Sequence, residues 1–289
     1  MKYDPAITEN IIDAAMRGDF HACVMPSDPA PERSERMAAV NDHLSERARL
    51  SYRMKRFVAE RMADTVLLKL SKSIQIIGEG KLSDISGGAI VTVNHFSPYD
   101  SIPVRKLLRG RGGKLNIVIK DTNLFMNGPL GFLMKYARTL PVTDDAHYLS
   151  RSFYPTIEKM LLDGEYVLIY PEAQMWPNYR KPRPLEPGAY HYAARLGVPI
   201  IPLFTEIISV GGYGRESFDY RLHVGDPIYP DMALSQRERA ELMRERDSSF
   251  KISAYERAYQ RPFKSEYSDG DVAGSAIRDP YITELFEPV

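Results

Sequence analysis

From Ser73 to Pro230 the chain alternates short β-rich runs with helical stretches, and no other feature restricts the fold as much. The runs "SIQIIGEG", "GAIVTVNH", "KLNIVIKD", "EYVLIYPE" and "VPIIPLFTEI" are rich in Ile, Val and Tyr and bounded by Gly, Pro, Asn or Asp. Helical stretches lie between them at 98–108, 128–136, 150–162 and 189–196. Parallel strands need crossover connections, and those crossovers cover the sheet. The pattern therefore predicts an α/β fold with a largely parallel central sheet and helices on both faces. "LHVGDPIYP" reads as one more strand and turn, followed by a charged helix over 235–247 and a Tyr- and Pro-containing tail.

The same reading divides the chain into an N-terminal helical attachment (1–72), a main domain (73–230) and a C-terminal helix and extension (231–289). In the attachment a short helix is expected near 9–18, and the three prolines of "MPSDPAPERSER" interrupt it. Nothing interrupts a helix from Leu44 to Lys72. It carries an apolar stripe of Leu50, Met54, Phe57, Val58, Met62, Val66 and Leu70, with eight Lys/Arg against three acids. Two readings fit: a helix packed on the main domain with a solvated basic face, or one resting on an anionic membrane surface.

Charge and cysteine usage narrow the function classes. Lys+Arg and Asp+Glu both total 38, so no basic excess points to nucleic acid. Cys23 is the only cysteine, which excludes an intramolecular disulfide and a Cys-based metal cluster. The apolar stretch around "VPIIPLFTEIISV" is too short and too interrupted to span a bilayer. "MKYDPAITEN" lacks the basic and apolar regions of a secretory signal. The expected location is cytoplasmic, with any membrane contact peripheral and on the inner face.

Chemistry concentrates in "VTVNHFSPYD", where a buried-type strand runs into Asn94 and His95, and Asp100 follows five positions later. In parallel α/β sheets ligands sit beyond the carboxyl ends of strands, where helix N-termini present free amides. A carboxylate beside the imidazole there would fix its tautomer and stabilise the imidazolium once His95 takes a proton. The segment also reads as a plain helix start. Ser97 suits an N-cap, Pro98 the first helical position, and Ser97-x-x-Asp100 resembles a capping box.

The sequence resembles the glycerolphosphate and lysophosphatidate acyltransferases, whose signature is Asn-His-x4-Asp. "IQIIGEGKL" is similar to the strand and Gly turn that open the family's domain, and "IVIKDTNLFMNGPLGFLMKYARTLPV" to its second block. "DGEYVLIYPEAQMW" stands where the family has a strand ending in Pro-Glu-Gly-Thr-Arg-Ser, and "GAYHYAARLGVPIIPL" matches its last helix and strand. Order and spacing agree over about residues 74–206.

The resemblance implies His95 as general base, Asp100 as its orienter and Glu172 as the motif acid, acting without cofactor or metal. An acceptor would attack the acyl thioester of acyl-CoA or acyl carrier protein directly. Asn94 and Ser97 beside the base, Lys120 of the second block, and Gln174 and Trp176 after Glu172 complete an expected substrate-binding set with Arg180, Lys181 and Arg183. The expected partners are a lipid acceptor and an acyl donor.

Two departures bear on the acceptor. Glu172 is followed by Ala173, Gln174, Met175 and Trp176, with no Arg, and Thr143, Asp144 and Asp145 stand where the second block normally closes with Arg. A phosphate monoester favours bidentate Arg contacts, so glycerol 3-phosphate and lysophosphatidate become unfavourable acceptors. "NYRKPRP" offers Arg180, Lys181 and Arg183 either as a substitute anion grip or as a solvated basic loop. Hydrolysis with the same base, or a non-catalytic lipid-binding role, are the competing functions.

Overall fold

The computed structural model describes residues 5–26, 28–210, 217–268 and 270–274. Its strands are β1 (Gln75–Ile77), β2 (Ala89–Thr92), β3 (Leu115–Lys120), β4 (Thr139–Val142), β5 (Tyr166–Ile169), β6 (Ile200–Val210) and β7 (Ser217–Val224). They form one seven-stranded sheet in the order β1-β7-β6-β2-β5-β3-β4. Neighbours are parallel except β6 and β7, which run antiparallel. The fold is α/β with a largely parallel sheet. Central β2 is buried at every residue, which is why its sequence reads as a continuous apolar run.

The helices are α1 (Pro5–Met16), α2 (Arg33–Glu46), α3 (Leu50–Leu70), α4 (Ser101–Arg109), α5 (Gly128–Tyr136), α6 (Ala146–Tyr148), α7 (Tyr154–Leu162), α8 (Gly188–Leu196) and α9 (Gln236–Tyr259). Alternate residues of β2 feed two cores on opposite faces of the sheet. Ile90 packs with Val167 and Ile200 against α7 and α8, through Ile157, Ala189, Tyr190 and Ala193. Ala89 and Val91 pack with Leu168 and Ile201 against α4, through Val104, Leu107 and Leu108.

Two elements depart from the sequence reading. The helix expected to begin at Leu44 is two helices, because α2 ends at Glu46 and α3 starts at Leu50. A reciprocal Glu32–Glu35 box starts α2 just after the prolines. The helix expected over 235–247 continues to Tyr259. What carries it on is burial: Asp247, Lys251, Ala254, Tyr255 and Tyr259 all face inward. The expected tail lies outside the described residues beyond residue 274.

The inward charges of α9 are paired. Asp247 Oδ2 accepts from Thr92 Oγ1 at 2.7 Å and from Tyr190 Oη at 2.5 Å. Its other oxygen pairs with Lys251, whose Nζ also donates to Thr92 Oγ1 at 3.1 Å. Burial pushes the Lys251 ammonium below its ordinary value, and Asp247 opposes that shift. This network ties α9 to the last residue of β2, three positions before His95.

Candidate active site

The carboxyl end of β2 sets the site. Asn94 extends the β2–β6 pairing by side chain, donating to the Thr205 carbonyl at 3.0 Å and accepting from the Thr205 amide at 2.7 Å. It is buried, so the substrate contact expected of it is replaced by a clamp on the strand ends. His95 follows, its side chain 21% exposed, with Nδ1 2.6 Å from Asp100 Oδ2. The same oxygen accepts from the backbone amides of Phe96 at 3.1 Å and Ser97 at 3.4 Å. One carboxylate thus serves both the imidazole and the chain turn. Among the described residues nothing hydrogen-bonds Nε2, which leaves that atom for a reacting group.

The helix starts later than the sequence suggests. Residues 98–100 form a turn, and α4 begins at Ser101. Ser97 is buried and accepts from the Tyr99 amide through Oγ at 3.2 Å, so it shapes the turn rather than facing substrate.

Tyr170, the residue after β5, completes the arrangement. Its ring stacks on the His95 imidazole with centroids 4.0 Å apart and planes 17° from parallel. Its hydroxyl donates to Asp100 Oδ1 at 2.6 Å. Burial and the Asp100 carboxylate push that hydroxyl well above the usual tyrosine range, so it stays a donor. Sequence reasoning passed over Tyr170. The available signal was an aromatic at a strand end, on the strand neighbouring β2, directly before Pro171 and Glu172.

Glu172 is a buried carboxylate with its oxygens engaged. Oε2 accepts from the His95 amide at 3.1 Å and pairs with Arg183 Nη2 at 3.0 Å, while Oε1 accepts from the Arg183 amide at 3.0 Å. The resemblance places it among the catalytic residues; in the structure its two oxygens hold the backbones of the base and of Arg183. Ala173 adopts φ of 62°, the left-handed conformation natural to the Gly of the family motif.

Arg180, Lys181 and Arg183 are neither an exposed loop nor a free anion grip. Arg183 donates to the carbonyls of Phe20 at 3.0 Å, His95 at 3.4 Å and Gln174, and lies 4.6 Å over the Trp176 ring. Lys181 pairs with Asp271 at 2.7 Å and donates to the Glu266 carbonyl at 2.6 Å. Arg180 donates to the Gly270 carbonyl at 3.0 Å and Ser209 Oγ at 2.8 Å. The carboxylate partners are Glu172 for Arg183 and Asp271 for Lys181; Asp271 lies about 90 positions along the chain, where local sequence cannot reveal it.

Trp176 is fully buried among Ile11, Val24 and Tyr179, with Nε1 donating to the Ala22 carbonyl at 3.0 Å. It sits in the core. Gln174 contributes its carbonyl to Arg183. Lys120, at the end of β3, is the one exposed residue of the expected substrate-binding set. Asp28, in the segment between α1 and α2, feels both Lys120 and His95; burial still pushes its carboxyl up.

The acids in place of the second-block Arg are also answered by cations. Asp144 pairs with Arg33 at 3.7 Å and Arg36 at 3.4 Å, Asp145 with Arg33 at 3.5 Å, and Arg36 reaches Asp121 at 3.0 Å. Among the described residues no cluster of three or more His, Cys, Asp or Glu is placed to hold a metal ion.

Comparison with curated proteins gives no match. Among solved structures the chain is similar to the 1-acyl-sn-glycerophosphate (LPA) acyltransferase PlsC from Thermotoga maritima. The identity is 16%, over 90% of this chain and 96% of that one, with a TM-score of 0.49. A family model described as Acyltransferase matches residues 73–206, the segment holding β1 through most of β6 and all of the His95, Asp100 and Glu172 geometry. Residues 73–206 thus match the acyltransferase family, and the remainder of the chain lies outside that match.

Proposed function

We propose that the protein transfers a fatty acyl group from acyl-CoA or acyl carrier protein to a lysophospholipid-like or related lipid acceptor, with His95 as general base. The observation that carries this reading is the 2.6 Å contact between His95 Nδ1 and a buried Asp100, with Nε2 left open. The acceptor's O–H or N–H gives its proton to Nε2 as the heteroatom attacks the thioester carbonyl. Asp100 stabilises the imidazolium. Collapse of the tetrahedral species breaks the C–S bond, and the proton on Nε2 passes to the departing thiolate. Because the donor is already activated, no Ser or Cys nucleophile on the enzyme is required.

The acceptor is neutral, zwitterionic or amine-bearing. Supporting this, Lys181 and Arg183 are neutralised internally, and Arg33 and Arg36 are committed to Asp121, Asp144 and Asp145. A phosphate monoester would compete with carboxylates for each of these cations. In a competition assay with labelled acyl donor, neutral and zwitterionic lyso-lipids are expected to outcompete lysophosphatidate. Clear preference for lysophosphatidate would overturn the acceptor assignment.

We also propose peripheral membrane contact through α3. Its inner face packs Tyr52 and Ala59 against Phe132, Leu133 and Tyr136 of α5. Most of the stripe read from the sequence points outward: Leu50, Met54, Phe57, Val58 and Leu70 are 48–69% exposed. An apolar ridge beside Arg and Lys residues suits an anionic interface. Among the described residues no helix is long and apolar enough to cross a membrane. Replacing Leu50, Met54 and Phe57 by Ser is expected to weaken binding to anionic vesicles at least tenfold at unchanged melting temperature. Undiminished vesicle binding by that variant would remove α3 from the contact.

A further inference from the structure

We infer that Tyr170 is a positioning residue of the base: its ring fixes the plane of the His95 imidazole, and its hydroxyl sets how strongly Asp100 holds the imidazolium. The inference rests on the reading of His95 as general base and goes beyond the His–Asp pair.

The two oxygens of Asp100 are occupied differently. Oδ2 meets His95 Nδ1 and the amides of Phe96 and Ser97, whereas Oδ1 has the Tyr170 hydroxyl. Asp100 is only 3% exposed, so water is poorly placed to replace that donor. With the hydroxyl in place, the carboxylate is held at both ends and cannot swing away from the imidazole. The ring acts on the other degree of freedom. A histidine held only at Nδ1 can still rock about that bond, and a ring 4.0 Å away and 17° from parallel blocks the motion from one side. Nε2 then keeps one direction, as proton transfer in a near-attack geometry requires.

The hydroxyl also has an electrostatic consequence. A hydrogen bond donated to a carboxylate draws charge from it, so Asp100 attracts the imidazolium proton less than a bare carboxylate would. Removing the hydroxyl while keeping the ring should strengthen that attraction and raise the pH at which His95 becomes the free base. The other groups facing this cluster are Asp28 from the segment before α2, Arg105 on α4, Tyr220 on β7, and the Glu172–Arg183 pair beneath the His95 backbone. Substitution at 170 replaces none of these side chains, and Ser101, which the Tyr170 hydroxyl also meets, carries no titrating group, so a moved titration is assignable to the lost hydroxyl.

The test compares wild type, Tyr170→Phe, Tyr170→Leu and His95→Ala in acyl transfer, with pH profiles of kcat/KM and thermal melts. His95 is titrated separately by NMR on histidine-labelled protein. For Tyr170→Phe the expected result is a folded protein with KM within about twofold of wild type. Its kcat should fall about 10–100-fold, the scale of a lost hydrogen bond to a charged group. The acid limb and the His95 titration should both move up by about half a pH unit or more. Tyr170→Leu should lose more kcat, since it lacks the stacked ring as well. Wild-type kcat in Tyr170→Phe, or a lowered kcat with an unmoved acid limb and His95 titration, would overturn the inference. In both cases an inactive His95→Ala would keep the base itself. Near-normal turnover in His95→Ala would instead overturn the reading of the base, whatever Tyr170 does. Should Tyr170→Leu fail to fold, the near-isosteric Phe variant and the NMR titration still decide the matter.

Discussion

His95→Ala is expected to lower acyl transfer by ~10²–10⁴-fold, the usual contribution of a positioned general base, while the protein stays folded. The second half of that expectation follows from the contacts. The imidazole is partly exposed, and truncating it leaves Asp100 with three donors: the amides of Phe96 and Ser97 and the Tyr170 hydroxyl. No buried charge loses its last partner. The loss therefore belongs in kcat rather than in the melting temperature. Near-normal turnover in a folded variant would remove His95 from the chemistry.

Glu172→Ala should behave the opposite way, with the largest stability effect around the site. Its carboxylate neutralises Arg183, whose side chain is 1% exposed, and receives the His95 and Arg183 amides. Removing one member of a buried ion pair leaves an uncompensated charge, at a cost of about 3–5 kcal/mol. For a chain of this size that lowers the melting temperature by roughly 10 °C. Activity should fall as well, because the His95 backbone loses its anchor. Glu172→Ala combined with Arg183→Met should recover much of the stability, since no unpaired charge remains. A double variant no more stable than Glu172→Ala would show that the pair is not the source of the loss. A Glu172→Ala protein of wild-type stability but no activity would return Glu172 to the reacting groups.

The sheet was legible because a buried parallel strand writes its environment directly into sequence. β2, β5 and the start of β6 are apolar without alternation, since both faces are covered. α5 falls at 128–136 as read, with Pro129 in its first turn. His95 and Asp100 could be paired from spacing because a strand end and a tight turn leave the carboxylate few other places to go. What stayed hidden depends on partners far along the chain. Arg180, Lys181 and Arg183 look like a solvated loop until Asp271, Gly270 and Glu172 are placed beside them. Trp176 looks like a substrate wall until α1 and the Ala22 carbonyl close over it. The α3 stripe illustrates a further limit. Periodicity shows that a helix has an apolar face, and here the face in contact with α5 is the smaller one of Tyr52 and Ala59. Tyr170 is silent in sequence because its value lies in contacts with Asp100 and His95, 70 and 75 positions earlier.

On the proposed reading the His95–Asp100 pair moves an acyl group to a lipid rather than to water. The most direct measurement is product analysis by mass spectrometry after incubating the protein with labelled acyl-CoA, or the acyl carrier protein thioester, and a total lipid extract. A labelled, acylated lipid is expected to form with the wild-type protein and to be absent with His95→Ala. Labelled free fatty acid accumulating with no acylated lipid would contradict it and make the enzyme a thioester hydrolase.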